Sequence, residues 1–446
     1  MKLSFNINNT GGLQLFQLLR FICFLVISVV LAKAHFSDSD IGDWETFVFV
    51  SGALSFFWVT GIIQSLLSLY DHNVVFARHT SDSGKSPELF NTFLLLVMFS
   101  VLLMLLIWFS TSINLFGAAK NVPYLGPLLL YFFLSNTTPL IEYIYLLKNK
   151  PGHIYIYGIV SFTLQTLFVC LPLIFGLDLV WAIWGLILLT GLRFLLLLQL
   201  LWKYAEFKFS WAYVKNHLYV GYPLIISTLL SGSSQYIDGV IAYFAFTPER
   251  FAIFRYGCKE LPFVVMMTSA LNNVMIPAFG NRKNIPAALA EIRRASLRLM
   301  HILYPLSILF MLFSKVIFGQ ILFNDTFYRS ADVFMVYQLL IISRIVFPQT
   351  ILMGLKKNRV ILWAAILEFF LHIGWSIFFT HFYSVTGLPL GSGLVHIVEK
   401  LVLIWYVYRH LHIHPDSYIP VKWYLFYSLL ISAVFILIDH RVFYII

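Results

Sequence analysis

Apolar residues in this chain come in long blocks broken by short polar stretches, and almost no segment alternates with the two-residue period of a strand. About 20 apolar residues are needed for a helix to cross the hydrocarbon core of a bilayer. That rule predicts thirteen spans, at 13–33, 44–69, 89–112, 123–147, 154–176, 179–202, 215–244, 254–280, 296–323, 331–355, 359–383, 386–411 and 419–445. Asp439, His440 and Arg441 interrupt the last one. The connectors are too short to hold a catalytic domain outside the membrane. Arg20, the apolar run Phe21–Leu31 and Ala32-Lys33-Ala34 together imitate a cleavable signal peptide. The long polar stretch before Arg20 favours a retained helix instead.

Composition agrees with the blocks. Of 446 residues, 60% are hydrophobic and 11% charged, with a mean hydropathy of +0.84. A soluble domain has roughly 25% charged residues, so a polytopic membrane protein is the class that remains. The net charge of +10 is spread between apolar blocks, which argues against nucleic-acid binding. Counted by connector, one side of the membrane carries 17 Lys and Arg. The other carries six: Lys33, Lys120, Arg250, Arg255, Arg329 and Arg441. Positive residues stay inside, so the N-terminus is expected in the cytoplasm. Cys23, Cys170 and Cys258 are too far apart for a metal motif or a disulfide framework, no Walker A pattern is present, and no cofactor is expected.

The two halves repeat at an offset of 210. Leu31 to Trp44 aligns with Ile241 to Phe254, each stretch ending one helix, turning through a polar loop and entering an aromatic-led helix. Two groups of six spans in the same orientation follow, as in transporters built from parallel repeats. The expected fold is therefore an all-α polytopic membrane protein of two six-helix lobes with one or two extra C-terminal helices. The lobes are 1–202 and 215–411, joined by an amphipathic cytoplasmic linker at 203–214 and followed by an extra span at 412–446.

Arg20, Asp238, Arg344, Glu368, Glu399 and Lys400 lie inside predicted spans. Facing lipid, six charges would cost roughly 15–20 kcal/mol, so most must face protein or water, as structural pairs or as a site. Glu399 and Lys400 are neighbours, with His396 one turn back. Arg193 and Lys315 lie near span ends and are expected to snorkel to the interface, and Glu142 is expected to be solvated. Three groups are candidates for function. Arg20 shares a helix face with Gln17. Arg255 and Lys259 put two cations on one face, and guanidinium groups suit phosphate. Asp238, together with Glu368 and His372 at i, i+4, could hold a cation or a proton.

Phe251 to Pro262 resembles the span-8 signature of polysaccharide-repeat flippases in the multidrug/oligosaccharidyl-lipid/polysaccharide exporter superfamily. Ile41 to Phe47 resembles the start of their span 2, and Ser343-Arg344-Ile345 through Lys357 the end of their span 10. The resemblance implies a V-shaped pair of six-helix lobes that moves undecaprenyl-diphosphate-linked oligosaccharide across the bacterial inner membrane by alternating access. Glycosyltransferases and a polymerase would act before and after it. It implies that Arg20, Arg255, Lys259 and Arg344 serve the diphosphate headgroup, and that an ion site in spans 7, 11 and 12 includes Asp238. Glu368 and His372 depart from the residues usual there. Two rivals are a drug/cation antiporter of the same superfamily, which would want fewer cations in its cavity, and a membrane glycosyltransferase. The second would use Asp38-Ser39-Asp40, in an outer loop of only about ten residues.

Overall fold

The computed structural model describes residues 9–76, 85–112, 122–258, 261–280 and 285–439. Lys259 and Glu260 lie outside the described residues, as do Lys2, Arg78, Arg282, Lys283, His440 and Arg441. Helix dominates because a peptide group in hydrocarbon has no water to bond, and a helix satisfies its N–H and C=O groups internally.

The first eight helices are α1 (Asn9–Lys33), α2 (Asp38–Ala53), α3 (Phe56–Phe76), α4 (Pro87–Ser112), α5 (Leu125–Thr137), α6 (Leu140–Leu147), α7 (Pro151–Ile174) and α8 (Leu179–Tyr204). Then follow α9 (Trp211–Ala245), α10 (Pro248–Gly257), α11 (Pro262–Gly280), α12 (Ile285–Leu312), α13 (Ser314–Val316), α14 (Ser330–Gln338), α15 (Ile341–Arg344), α16 (Pro348–Gly354), α17 (Asn358–Tyr383), α18 (Gly387–Leu411) and α19 (Val421–Asp439). Each of the thirteen predicted spans coincides with one of these helices or with a consecutive set. Eight helical segments among the described residues are long and apolar enough to cross a membrane, or nine if the bent pair Asp325–Arg344 and Pro348–Gly354 counts as one span.

The breaks have local causes. Pro139 separates α5 from α6, and Pro348 opens α16 after a 45° bend, since proline has no N–H to continue the ladder. Around α13 the chain passes through a π-helical turn, Ile317–Leu322, and a 3-10 turn, Asp325–Arg329.

The repeat is visible in the caps. Ser37 starts α2 and Thr247 starts α10 at the offset of 210, both extended, with φ/ψ of −70°/156° and −69°/162°. At α2 the cap is a capping box. Asp40 N donates to Ser37 Oγ, and the Asp40 carboxylate accepts from Ser37 N (3.2 Å) and Ser37 Oγ (2.6 Å). Asp38 and Asp40 thus occupy the first turn of a helix, where the dipole favours negative charge.

Two compact units emerge, Met1–Gly232 and Ser233–Ile446, with the division inside α9. In the first unit, α1 packs on α7, α7 on α8, and α5 on α4 and α8. The first half of α9 joins it. Buried His217 has Nε2 2.9 Å from the Ile62 carbonyl of α3, and Ser65 Oγ donates to the His217 carbonyl (3.1 Å). The connector before α9 is extended. Ser86 N donates to the Tyr204 carbonyl (3.0 Å), Glu206 N donates to the Ser86 carbonyl (3.2 Å), and Asn91 bridges Lys208 and Ser210. Phe207, Phe209 and Trp211 stay exposed along it.

In the second unit α17 pairs with α18, α10 with α14, α11 with α12 and α16, and α12 with α19. Its core runs from Val264 through Tyr304 and Ile351 to Leu403 and Ile431. α19 has only Ile431 and Ile438 buried while remaining almost wholly apolar, the pattern of a helix with lipid around most of its circumference. His301 and Tyr304 of α12 hold it through Tyr427 (2.8 Å) and Ser428 (2.9 Å).

Candidate functional site

Among the described residues, two clusters combine buried charged and polar side chains, one in each unit.

In the second unit they follow the α17–α18 seam. The helices are antiparallel, and residues one turn apart on each meet in register: Ser376 with Ser392, His372 with His396, and Glu368 toward the Glu399–Lys400 pair. Gly391 makes the approach possible, since a Cβ there would lie 2.8 Å from Ser376 Cα and N. Asp238, from the second half of α9, enters this seam and is 2% exposed. Its Oδ1 accepts from Ser376 Oγ (2.8 Å) and His372 Nε2 (3.0 Å), and its Oδ2 accepts from Tyr337 OH of α14 (3.0 Å) and Ser392 Oγ. His372 is fully buried, and its Nε2 also lies 2.8 Å from Ser392 Oγ. Because its partner is a carboxylate, Nε2 carries the hydrogen. Four donors from three helices therefore meet both carboxylate oxygens.

Farther along the seam the His396 ring centroid is 6.2 Å from that of His372, and His396 Nδ1 is 3.0 Å from Glu368 Oε1. Lys400 Nζ is 2.8 Å from Glu399 Oε2. Glu368, His396 and Glu399 bring ligand atoms within 4.8 Å of one another, but the Lys400 ammonium already supplies a cation there. The seam thus brings Asp238 and His372 into direct contact and reaches Glu368 only through His396. His396, Tyr337, Ser376 and Ser392 carry the geometry without having been named as site residues from the sequence. The i, i+4 spacing of polar residues on the two predicted spans signalled His396, Ser376 and Ser392, whereas nothing along the sequence marked Tyr337 of α14.

In the first unit a cavity of about 100 Å³ is lined by Arg20 of α1, Tyr131 and Ser135 of α5, Glu142 of α6, Gln165 of α7 and Arg193 of α8, among others. Arg193 does not snorkel. Its Nε donates to Ser161 Oγ (2.5 Å), and its Nη2 donates to the Ser161 carbonyl (3.1 Å) and Gln165 Oε1 (2.8 Å). Glu142 is not solvated; it is 6% exposed. Position explains both. Arg193 is close to the middle of the 26-residue α8, too deep to reach an interface, and Glu142 follows the Pro139 break that turns α6 inward. Lys315 is also paired, 3.3 Å from Asp332 Oδ1 and over the Tyr328 ring.

The two sites occupy matching places in the repeat. Ser161 and Gln165 lie 10 and 14 residues beyond the start of α7, and Glu368 and His372 lie 10 and 14 beyond the start of α17.

The other sequence candidates lie elsewhere in the second unit. Arg255, near the end of α10, is half-buried, with Nη1 3.9 Å from Cys258 Sγ. Arg344, at the end of α15, lines a narrow crevice of about 10 Å³ with Tyr337 and Ser307. Lys259 is outside the described residues.

A family model described as "Polysaccharide biosynthesis protein" matches residues 46–331. No curated protein sequence matches the chain. Among solved structures, the fold is similar to that of the lipid II flippase MurJ in an inward-closed conformation, at 16% identity and a TM-score of 0.69, covering 96% of this chain and 93% of that one. An inward-facing multidrug resistance MATE family transporter matches at 14% identity and a TM-score of 0.60, covering 93% and 95%. The Vibrio cholerae MATE transporter VcmN, as a mutant, matches at 14% identity and a TM-score of 0.52, covering 90% and 98%. At these identities the likeness is one of fold alone, an all-helical, multi-pass one.

Proposed function

The chain belongs to the polysaccharide biosynthesis protein family, and from that premise we propose that it is a flippase for a lipid-linked oligosaccharide. Its substrate is an undecaprenyl-diphosphate glycan, carried across the bacterial inner membrane by alternating access of two lobes, with the N-terminus cytoplasmic. The observation that carries this reading is Arg20. It is exposed beside a polar cavity at membrane depth and makes no hydrogen bond or ion pair with any described residue. A guanidinium left open at that depth is costly unless an anion or water answers it, and a diphosphate answers it well.

Arg20, Arg255, Lys259 and Arg344 receive the headgroup, the glycan stays in water, and the prenyl tail stays in lipid. Carrying about two negative charges outward across an inside-negative potential of 100 mV gains roughly 4–5 kcal/mol, so the potential favours export. Asp238, with His372 and Glu368, is the coupling centre for a cation or proton. Glycosyltransferases supply the substrate and a polymerase consumes it, in polysaccharide or O-antigen export. The chain itself performs no chemistry.

The test is complementation of a null strain with Arg20→Ala and Arg255→Ala at normal protein levels. Loss of surface glycan is expected for each, and full complementation by both would sink the cationic-site reading. The buried Asp238 carboxylate favours a second reading, a drug/cation antiporter. That reading requires efflux of a cationic dye and no binding of lipid diphosphate.

A further inference from the structure

The cavity in the first unit contains more charge than the headgroup reading uses. Glu142 lines it, is 6% exposed, and makes no hydrogen bond or ion pair with any described residue. Arg193 is held from one side only. Ser161 and Gln165 take three of its five N–H groups, fixing the guanidinium plane, while Nη1 has no partner among the described residues. Phe162 supports the group, with its ring centroid 5.3 Å from Arg193 Cζ.

The charge count selects the ligand. Arg20 and Arg193 against Glu142 leave one positive charge uncompensated around the cavity, which an anion answers and a cation does not. A metal ion would meet two guanidiniums. An oxyanion meets the two N–H groups that Arg193 Nη1 still offers, on a guanidinium already fixed in place. At about 100 Å³ the cavity suits one phosphate-sized group rather than a sugar chain.

We propose that Arg193 and Arg20 form a subsite for one phosphate group, and that Glu142 is its built-in counter-charge, balancing the guanidiniums between ligands and opposing the ligand once bound. This rests on reading Arg20 as a headgroup residue and extends it to two residues of α6 and α8. The opposing carboxylate serves release, because a translocase must let its cargo go.

The full chain in nanodiscs is titrated with two probes: undecaprenyl diphosphate, followed by native mass spectrometry, and inorganic pyrophosphate, followed by calorimetry. Glu142→Gln removes the opposing charge at constant shape and should tighten binding about tenfold or more, as expected for a unit charge at low effective dielectric. Arg193→Gln should weaken binding by a similar factor, with Arg193→Lys recovering part of the loss. Misfolding cannot mimic a gain in affinity, so Glu142→Gln keeps the test sharp even if Arg193→Gln is unstable. Unchanged or weaker binding by Glu142→Gln overturns the counter-charge. Wild-type affinity in a stably folded Arg193→Gln overturns the subsite, while lipid binding by the unmodified chain still supports the flippase. Variant-dependent binding of pyrophosphate with no binding of the lipid keeps the subsite and removes the flippase reading.

Discussion

Replacing Asp238 with Asn tests the seam of the second unit directly. The side chain keeps its shape, but one of two acceptor oxygens becomes an NH₂ donor. Whichever oxygen is replaced, two of the four donors lose their acceptor: Ser376 and His372 on one side, or Tyr337 and Ser392 on the other. Hydrogen bonds to a charged group contribute about 1.5–3 kcal/mol each. Hydroxyls can turn and accept from the new amide, so a net cost of about 2–4 kcal/mol is expected rather than the full sum. For a cooperative unit of roughly 200 residues this is a fall in Tm of about 5–15 °C. The measurement is the loss of monodisperse protein on size-exclusion chromatography after heating in detergent. Melting within about 1 °C of the unmodified chain would refute the claim that the carboxylate organises α9, α14, α17 and α18. Combining Asp238→Asn with Ser392→Ala should cost less than the two changes added separately, because both cut one network. In proteoliposomes the same Asn variant should lose the dependence of transport on an imposed cation gradient, and an unchanged dependence removes Asp238 from coupling.

Two further substitutions probe packing and local signals. Gly391→Ala places a Cβ about 2.8 Å from Ser376 backbone atoms, so α17 and α18 must separate; a cost of about 1–3 kcal/mol should appear as a lower Tm, with gradient dependence impaired as the Asp238 bonds lengthen. Ser37→Ala removes the α2 capping box at a cost of about 1 kcal/mol, yet glycan export in complementation should persist, and its loss would reopen a chemical role for Asp38 and Asp40.

The membrane class, the all-α fold, the helices and the repeat were all legible along the chain, because each follows from local composition. A block of apolar residues has to become a helix where water is absent, and Ser37 and Thr247 mark equivalent starts because capping is a matter of a few adjacent residues. The pairing of Asp238 with His372 was within reach for a similar reason. A buried charge needs a partner, and few candidates lie at comparable depth.

Which charges face which cavity was settled only by three-dimensional packing. Arg193 reads as snorkelling until the 26-residue length of α8 places it mid-helix, and Glu142 reads as solvated until the break at Pro139 turns it inward. Likewise, hydropathy placed spans 11 and 12 but not their register, which is set by the close contact of Gly391 with Ser376. The physical reason is one of range. Hydrophobicity and capping act over a few residues, whereas the electrostatics of a buried group depend on side chains that are distant in sequence and brought near only by folding.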